Sequence, residues 1–536
     1  MNLSQTLNNY IPKKGEESLL SEMRALYASV GKFSCERVCP THFTSSAFIV
    51  NEHLNAAVLV RHNLLGRYVW AGGHNDGEED CLAVALREAE EETGLSVRPY
   101  SSMPFMLNRF EVPAHEKNGQ TVAAHVHFSL AYCLVAKEEP PRVKADENTD
   151  VLWVPFDSLH ELWNEGDLAE RCRLAVRELA EEKAHAFTAI PDLLLPWFYE
   201  HKRVLPWRRM KNPYATWVSE IMLQQTRVEA VKEYFLRFMR ALPTVESLAA
   251  CDDEKLMKLW EGLGYYSRAR NLKRAAEVIV KEYGGEIPSE RSALSRLPGI
   301  GDYTAGAISS IAFGNPEPAV DGNVLRVVSR ITEDFTNIDL PACKAELTER
   351  LRAVYPSDAG AFTESLMELG AIVCVPNGAP LCAECPMRPV CLAYRKGSYA
   401  SLPVRKEKTA RKKESMTVFF LLSDQKTALC KRTQKDVLNG MWEFPNCPNS
   451  CTASEAKQYL SENGIAIVGE LKKRTHVHIF THKEWHMTCY YGICDRLPQS
   501  CTAFALEEIR EKISLPSAFK WCLDECPLAL ERGDQN

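Results

Sequence analysis

The chain has 536 residues, 45% of them apolar and 25% charged, a length that asks for two to four separate cores rather than one. It holds no apolar run of about eighteen residues, which excludes an ordinary membrane-spanning helix, and its start, MNLSQTLNNYIPKK, lacks the basic opening and apolar stretch of a secretion signal. A reducing, cytoplasmic setting is therefore the expectation, and in it 19 cysteines point to metal or redox chemistry rather than a disulfide scaffold.

The net charge of −7 is unevenly spread. Residues 1–190 carry 18 Lys and Arg against 28 Asp and Glu, residues 191–420 carry 32 against 28, and residues 421–536 carry 14 against 15. Only the middle segment leans basic, which suits an anionic polymer as its partner, although scattered surface charge has the same signature.

In chain order, residues 41–156 read as strands and turns around one Glu-rich helix near 80–93, with SSAFIV, AAVLVRH and HFSLAYCLVA as the strand-like runs. A charged helical stretch follows over 158–186, and Pro191 and Pro196 punctuate the passage onward. From 192 to about 395 apolar residues recur at helical spacing, as in ESLAACDDEKLMKLWEGL and AGAISSIAF. RKEKTARKKE (405–414) reads as a charged, core-poor linker. After it MTVFFLL, TALCKR and HMTCYYGIC return to strand-like runs. GRYVWAGG (66–73) and NGMWEFPN (439–446) fall at similar places in the first and last segments, so the two outer segments are expected to share a fold.

Residues 73–95 follow the pattern G-x5-E-x7-R-E-A-x-E-E-x-G-L, with Gly73, Glu79, Arg87, Glu88, Glu91, Glu92 and Gly94 in place. On a helix Glu88, Glu91 and Glu92 share one face. Three clustered carboxylates repel one another unless a cation joins them, and oxygen-only ligands favour Mg²⁺ or Mn²⁺. Such a metal can activate water and neutralise a diphosphate under attack. Arg87 is placed to brace one carboxylate, with Glu79 in support. A Glu run usually means only a solvated helix face; here the flanking glycines and the distant Glu79 make the pattern far more specific. The segment resembles the Nudix box in full. The resemblance covers about residues 40–165, with VLWVPFDSL (151–159) similar to the end of such domains. It implies a pyrophosphohydrolase acting on a nucleoside diphosphate linked to another group. Oxidised dGTP (8-oxo-dGTP) is one candidate substrate; a nucleotide sugar or a dinucleotide is the alternative.

The middle segment carries three further features: NPYATWVSEIMLQQT (212–226), LPGIGDYTAGA (297–307) followed by AVDGNVLRV (319–327), and four close cysteines. LPGIG between helical patterns reads as a helix–hairpin–helix in which Gly299 and Gly301 let the backbone approach a phosphate, although most G-x-G sequences are simple turns. Cys374, Cys382, Cys385 and Cys391 are spaced C-x7-C-x2-C-x5-C, close enough to wrap one iron–sulfur cluster. Zinc is the competing reading, but structural zinc more often uses two C-x2-C pairs.

Residues from about 192 to 395 resemble the helix–hairpin–helix glycosylase superfamily with a [4Fe–4S] cluster, and within it the MutY-type adenine DNA glycosylases. That family commonly has six residues between the first two cysteines, where this chain has seven. The resemblance implies a base-excision repair enzyme acting on double-stranded DNA with adenine opposite 8-oxoguanine or guanine. Cleaving the N-glycosidic bond calls for an acid on the base and a carboxylate beside the sugar cation; the resemblance gives these roles to Glu220 and Asp321. Carried over from matching positions, Tyr303, Asn323 and Glu364 join the pocket, while Gln225 and Tyr265 enter the base stack near the lesion. Endonuclease III-type relatives have a lysine at position 303 that forms a Schiff base. Tyr303 cannot, which implies a monofunctional glycosylase. Taken from the residues alone, Asp321 before Gly-Asn also reads as a helix cap. A DNA-binding sensor without excision is the alternative from another functional class.

Residues 415–536 resemble the C-terminal domain of the same family, which senses 8-oxoguanine, with Phe480-Thr481-His482 in place of the usual Phe-Ser-His. Aligning Gly464 with Gly94 puts Gln458, Ser461 and Glu462 where the first box has its three glutamates, so this copy is expected to recognise rather than hydrolyse. His476, His478, His482 and His486 raise zinc as a further reading, without a cysteine or carboxylate pattern to support it. The expected organisation is multidomain: an α+β Nudix fold (1–165), a helical linker (166–190), an all-α helix–hairpin–helix glycosylase with its cluster loop (191–400), a basic linker (401–414) and an α+β Nudix-like domain (415–536).

Overall fold

The computed structural model describes residues 1–63, 65–117, 120–163, 167–210, 212–407, 410–433 and 438–525. The boundary expected at 165–166, part of the basic linker and the last eleven residues lie outside these. The architecture is an α+β segment, a helical segment and a second α+β segment. Contacts group the chain into two compact units. One comprises Met1–Lys202, Val320–Pro356 and Ala361–Lys406; the other comprises Arg203–Ala319, Ser357–Gly360 and Glu407–Asn536.

In the first unit an eight-stranded mixed sheet runs in the order Asn148–Pro155, Ala56–His62, Thr41–Asn51, His125–Ala136, Val97–Pro99, with Tyr68–Val69, Ala71–His74 and Met106–Val112 pairing off this path. Thr41–Asn51 and His125–Ala136 are the parallel central pair, and both are buried nearly throughout. That explains runs such as SSAFIV that do not alternate apolar with polar: a central strand covered on both faces has no wet side. Alternate residues feed separate cores. Phe43, Ala47 and Ile49 join Leu130, Tyr132 and Leu134 on one face; Phe48 and Val50 join Ala131, Cys133 and Val135 on the other. Helix Cys81–Thr93 covers the first face. The Asp80 side chain caps its start, and Gly94, in the left-handed conformation at φ 64°, ends it.

The structure adds to three sequence expectations here. The helical linker expected at 166–190 contains helix Leu168–Thr188, and its Leu168, Cys172, Ala175 and Val176 pack into the second core. Pro196 does not end a helix but lies inside Ile190–His201. The basic linker ends early: Lys412–Glu414 already belong to strand Lys412–Ser423, paired residue by residue with Lys483–Trp485. Their charged side chains look solvated in sequence, while the backbone groups that make the strand leave no trace there.

The second unit joins helices between Pro206 and Phe313 to a seven-stranded sheet. They share one core, in which Trp217, Phe235 and Trp260 from the helices meet Phe420, Trp485 and Phe519 from the sheet segment. Lys412–Ser423 and Lys483–Cys494 form a parallel central pair, as in the first sheet, so the faint repeat does mark a shared fold. Cys430 and Cys501 are disulfide-bonded, a single bridge among the described residues and not a disulfide scaffold. No described helix is long and apolar enough to cross a membrane.

Candidate active sites

Helix Cys81–Thr93 presents its carboxylates to a pocket of about 540 Å³. Arg87 donates to Glu88 at 3.0 Å and lies 3.8 Å from Glu91; Lys144 lies 3.3 Å from Glu91 and 3.0 Å from Glu147. Gly73 makes room for this: a Cβ there would sit 2.4 Å from the Glu88 carboxyl carbon. Five acids, Asp76, Glu78, Glu88, Glu91 and Glu147, line the pocket against three cations, Arg37, Arg87 and Lys144. An all-oxygen donor set with excess negative charge fits a hard divalent cation. The loop residues Asp76, Glu147, Arg37 and Lys144 were missed in sequence, where each is an isolated charge without a pattern.

The other two box glutamates are placed differently. Glu79 accepts the Tyr27 hydroxyl. Glu92 is 4% exposed and accepts from the Gly72 N–H at 2.9 Å and from Asn148 Nδ2 at 3.2 Å. Burial still pushes its carboxyl up to about 7, aided by the negative charges of Glu147 and Glu88. Because the folded value lies above the unfolded one, the metal-free fold loses stability as pH rises from about 4.5 to about 7 and carries the full cost above that. At 1.36 kcal/mol per pKa unit the cost is roughly 3 kcal/mol. Glu92→Gln is therefore expected to raise the Tm of chelator-treated protein at pH 8 and leave it unchanged near pH 4; an equal shift at both pH values would refute the assignment.

The helical segment builds its site from two capped helices. Asn212 caps Pro213–Leu223 by accepting from the Ala215 N–H at 2.7 Å. This helix carries Glu220, 6% exposed, whose Oε2 accepts the Tyr303 hydroxyl at 2.7 Å. Tyr303 lies in the first turn of Asp302–Phe313, the helix entered through the LPGIG hairpin. Gly299 needs its glycine, with φ +78° and Asn271 Cβ only 2.6 Å from where a Cβ would stand. Gly301 does not share that need: it is extended at φ −90° and faces open space.

Gln225 and Tyr265 both hold left-handed backbone conformations, at φ 57° and 46°, which cost a non-glycine residue on the order of 1–3 kcal/mol. One side chain missed in sequence, Arg268, holds both segments. Its guanidinium donates to the carbonyls of Ile221 (2.8 Å), Met222 (3.1 Å) and Gln224 (2.6 Å) and to those of Leu263 (3.0 Å) and Gly264 (3.1 Å). The first three are end carbonyls of the Glu220 helix, which have no partner within the helix. Burial lowers the Arg268 pKa to about 10. Tyr265 is 44% exposed, and its hydroxyl pairs with that of Thr481. Thr481 and His482 are exposed at the tip joining Ile467–Ile479 to Lys483–Cys494, while the Phe480 ring packs edge-on to Trp485 at 4.9 Å. Helix Ala453–Glu462 carries Gln458, Ser461 and Glu462, with Gln458 Nε2 donating to Glu462 Oε1 at 2.9 Å.

In the other compact unit, Asp321 is the N-cap of Gly322–Ile331. Its Oδ1 accepts the N–H groups of Asn323 (2.9 Å) and Val324 (2.8 Å), and its Oδ2 accepts the Asn323 side-chain amide at 2.8 Å. The cap reading is thus correct and does not compete with a site role: three N–H groups aim at the carboxylate. From Asn323 the bonds continue through Arg326 to the Cys374 carbonyl at 2.9 Å. Glu364 is half-buried on helix Ala359–Ile372.

Cys374, Cys382, Cys385 and Cys391 are free thiols lining one small apolar void with Arg330 and Met387. The seven-residue spacer turns through Gly378 at φ 77° and still returns the chain, with the Leu381 N–H bonded to the Val373 carbonyl at 3.0 Å. Burial raises Cys385 to about 12 and Cys391 to about 11, and the neighbouring thiols add to it. Four sulfurs converging where protons leave reluctantly fit a metal cluster that would bind them as thiolates.

Residues 218–352 match the model for HhH-GPD superfamily base excision DNA repair proteins, and residues 40–173 and 417–525 each match a NUDIX domain model. The adenine DNA glycosylase of Mus musculus is 40% identical over 259 residues, covering 44% of this chain and 50% of the relative. That of Schizosaccharomyces pombe is 31% identical over 388 residues, covering 58% and 84%. That of Buchnera aphidicola from Schizaphis graminum is 31% identical over 301 residues, covering 56% and 85%. The chain spans about half the length of the mouse and rat relatives it matches.

Proposed function

We propose, for a chain that belongs to the adenine DNA glycosylase family, that it excises adenine mispaired with 8-oxoguanine or guanine in double-stranded DNA. The observation that carries this is the buried Glu220 carboxyl oriented by the hydroxyl of Tyr303, which lies in the first turn of the helix after the hairpin. Glu220 is the acid that protonates the departing adenine. Asp321, fixed as a helix cap, faces the developing positive charge on the sugar and orients the attacking water. Gln225 and Tyr265 fill the gap left by the extruded nucleotide. Phe480, Thr481 and His482 read the opposite base, and the Tyr265–Thr481 hydroxyl pair ties this reading loop to the stack-filling residue.

Cys374, Cys382, Cys385 and Cys391 would hold a [4Fe–4S] cluster, which would brace the loop whose Cys374 carbonyl is hydrogen-bonded to Arg326 and, through it, to Asn323. Release of adenine from an A:8-oxoguanine duplex by wild type and Glu220→Gln tests the assignment. Because Tyr303 has no amine to form a Schiff base, we expect an abasic product with an intact strand and no borohydride-trapped adduct.

For the first domain we propose metal-dependent hydrolysis of a nucleoside diphosphate derivative, with 8-oxo-dGTP as the favoured substrate. Glu88 and Glu91 would hold Mg²⁺ or Mn²⁺ with Glu92 beneath them. The metal would polarise the diphosphate and activate water, while Arg37 and Lys144 meet phosphate charge. A screen of nucleotides with Mg²⁺ is expected to rank 8-oxo-dGTP first; faster turnover of a nucleotide sugar or dinucleotide would reassign the substrate. We place the activity on intracellular DNA and nucleotide pools.

A further inference from the structure

Outside the acidic pocket and the adenine site, the first domain assembles a group with no role so far. His42, His74, His125 and His127 come from three adjacent strands, and one ring nitrogen from each lies within 4.8 Å of the others. The sheet register creates the group. His42 and His127 are direct partners in the parallel central pair. His125 sits two residues before His127 on the same strand face, and His74 ends the strand paired with Thr44.

The hydrogen bonds around the rings decide what such a group can take. His42 Nδ1 lies 2.7 Å from the Cys39 carbonyl and His125 Nδ1 lies 2.8 Å from the Ala123 carbonyl. A carbonyl only accepts, so each Nδ1 carries the proton, and in the neutral ring the Nε2 lone pair is left for the centre. This is how metal-binding histidines are commonly oriented from outside the coordination sphere. His42 is 1% exposed, and its Nε2 is buried with no hydrogen-bond partner. His125 Nε2 and His127 Nε2 face each other at 3.0 Å, close to the edge of about 3.4 Å expected for a tetrahedron with metal–nitrogen bonds of about 2.0–2.1 Å. Converging lone pairs repel an anion and suit a cation. Four imidazoles without a carboxylate select a borderline-soft divalent ion over Mg²⁺ or Ca²⁺.

We propose that His42, His74, His125 and His127 form a four-coordinate transition-metal site of the zinc class, separate from the carboxylate pocket. With all four positions filled by protein the site is structural rather than catalytic. It pins the end of the strand that carries His74 and thereby sets the chain just after it, where Asn75 and Asp76 line the acidic pocket. This inference does not rest on the proposed hydrolase or glycosylase activity.

The test uses the full chain, chelator-treated and then dialysed with zinc in the presence of excess Mg²⁺. Metal analysis is expected to find about one zinc per chain beyond any metal held by the cysteine loop. Zinc-edge X-ray absorption is expected to show a shell of nitrogen neighbours at about 2.0–2.1 Å with imidazole scattering. His127→Gln and His125→Gln, at half-buried positions, should each weaken zinc binding by on the order of a hundredfold with iron content unchanged, whereas Glu88→Gln and Glu91→Gln should leave it intact. Failure of the wild-type chain to retain zinc at micromolar free metal, a sulfur or oxygen shell, or wild-type affinity in both histidine variants would overturn the proposal. Should either variant fail to fold, the absorption spectrum of the wild-type chain decides alone.

Discussion

Glu220→Gln is expected to slow adenine release from an A:8-oxoguanine duplex by about 10²–10⁴-fold, the usual contribution of a positioned general acid. The glutamine side chain has nearly the same shape and still offers an oxygen to the Tyr303 hydroxyl, so the 2.7 Å contact and the helix around it should survive. What disappears is the transferable proton. Lesion-duplex affinity should therefore change little, and the loss should fall on the single-turnover rate. Tyr303→Phe removes the orienting donor but leaves the acid, so its loss should be smaller, about tenfold, the effect of one hydrogen bond. If Glu220→Gln released adenine at the wild-type rate, the acid would have to be sought elsewhere and the proposed mechanism would fail.

Arg268→Met is expected to lower the stability of the helical segment by on the order of 3 kcal/mol, because five carbonyl groups lose their donor while the space stays filled. The variant also releases what the guanidinium restrains. Gln225 follows directly after one of the bound carbonyls and Tyr265 directly after another, and both sit in backbone conformations that the chain does not favour on its own. Their relaxation should weaken discrimination between lesion and undamaged duplexes as well as stability. Arg268→Lys keeps the charge but offers three donors on one nitrogen instead of a planar fork, and it should fall between wild type and Arg268→Met. Denaturant midpoints together with lesion-duplex affinity check this. Wild-type values of both for Arg268→Met would show that the carbonyls find other partners and that Arg268 positions nothing.

The carboxylate helix was readable because its glutamates recur at fixed helical spacing, and the cysteine loop because its four thiols fall within a short stretch. The degenerate second box was readable once Gly464, at φ 73°, was set against Gly94 at φ 64°, since both end a helix in the same conformation. Arg268 was not readable: its partners are backbone carbonyls, and a carbonyl has no letter in the sequence. The left-handed conformations of Gln225 and Tyr265 were hidden for the same reason, as only a glycine announces positive φ by its identity. The histidine site left one weak trace, the His125-Val126-His127 alternation, and the zinc reading weighed in sequence fell instead on the histidines of the last segment.

By itself the amino-acid sequence determined which functional groups the chain carries and at what spacing: carboxylates on one helix face, thiols in one loop, Glu220 and Asp321 in segments that resemble a glycosylase family, and two related outer folds. These depend on residue type and short-range spacing, which the covalent chain carries directly. Only the tertiary structure decided how distant segments combine. Strand register brings four histidines to one point, segments far apart in sequence share a compact unit, and a single half-buried guanidinium caps the end of the Glu220 helix. Each of those outcomes depends on which backbone groups face one another after folding, and packing rather than local sequence sets that.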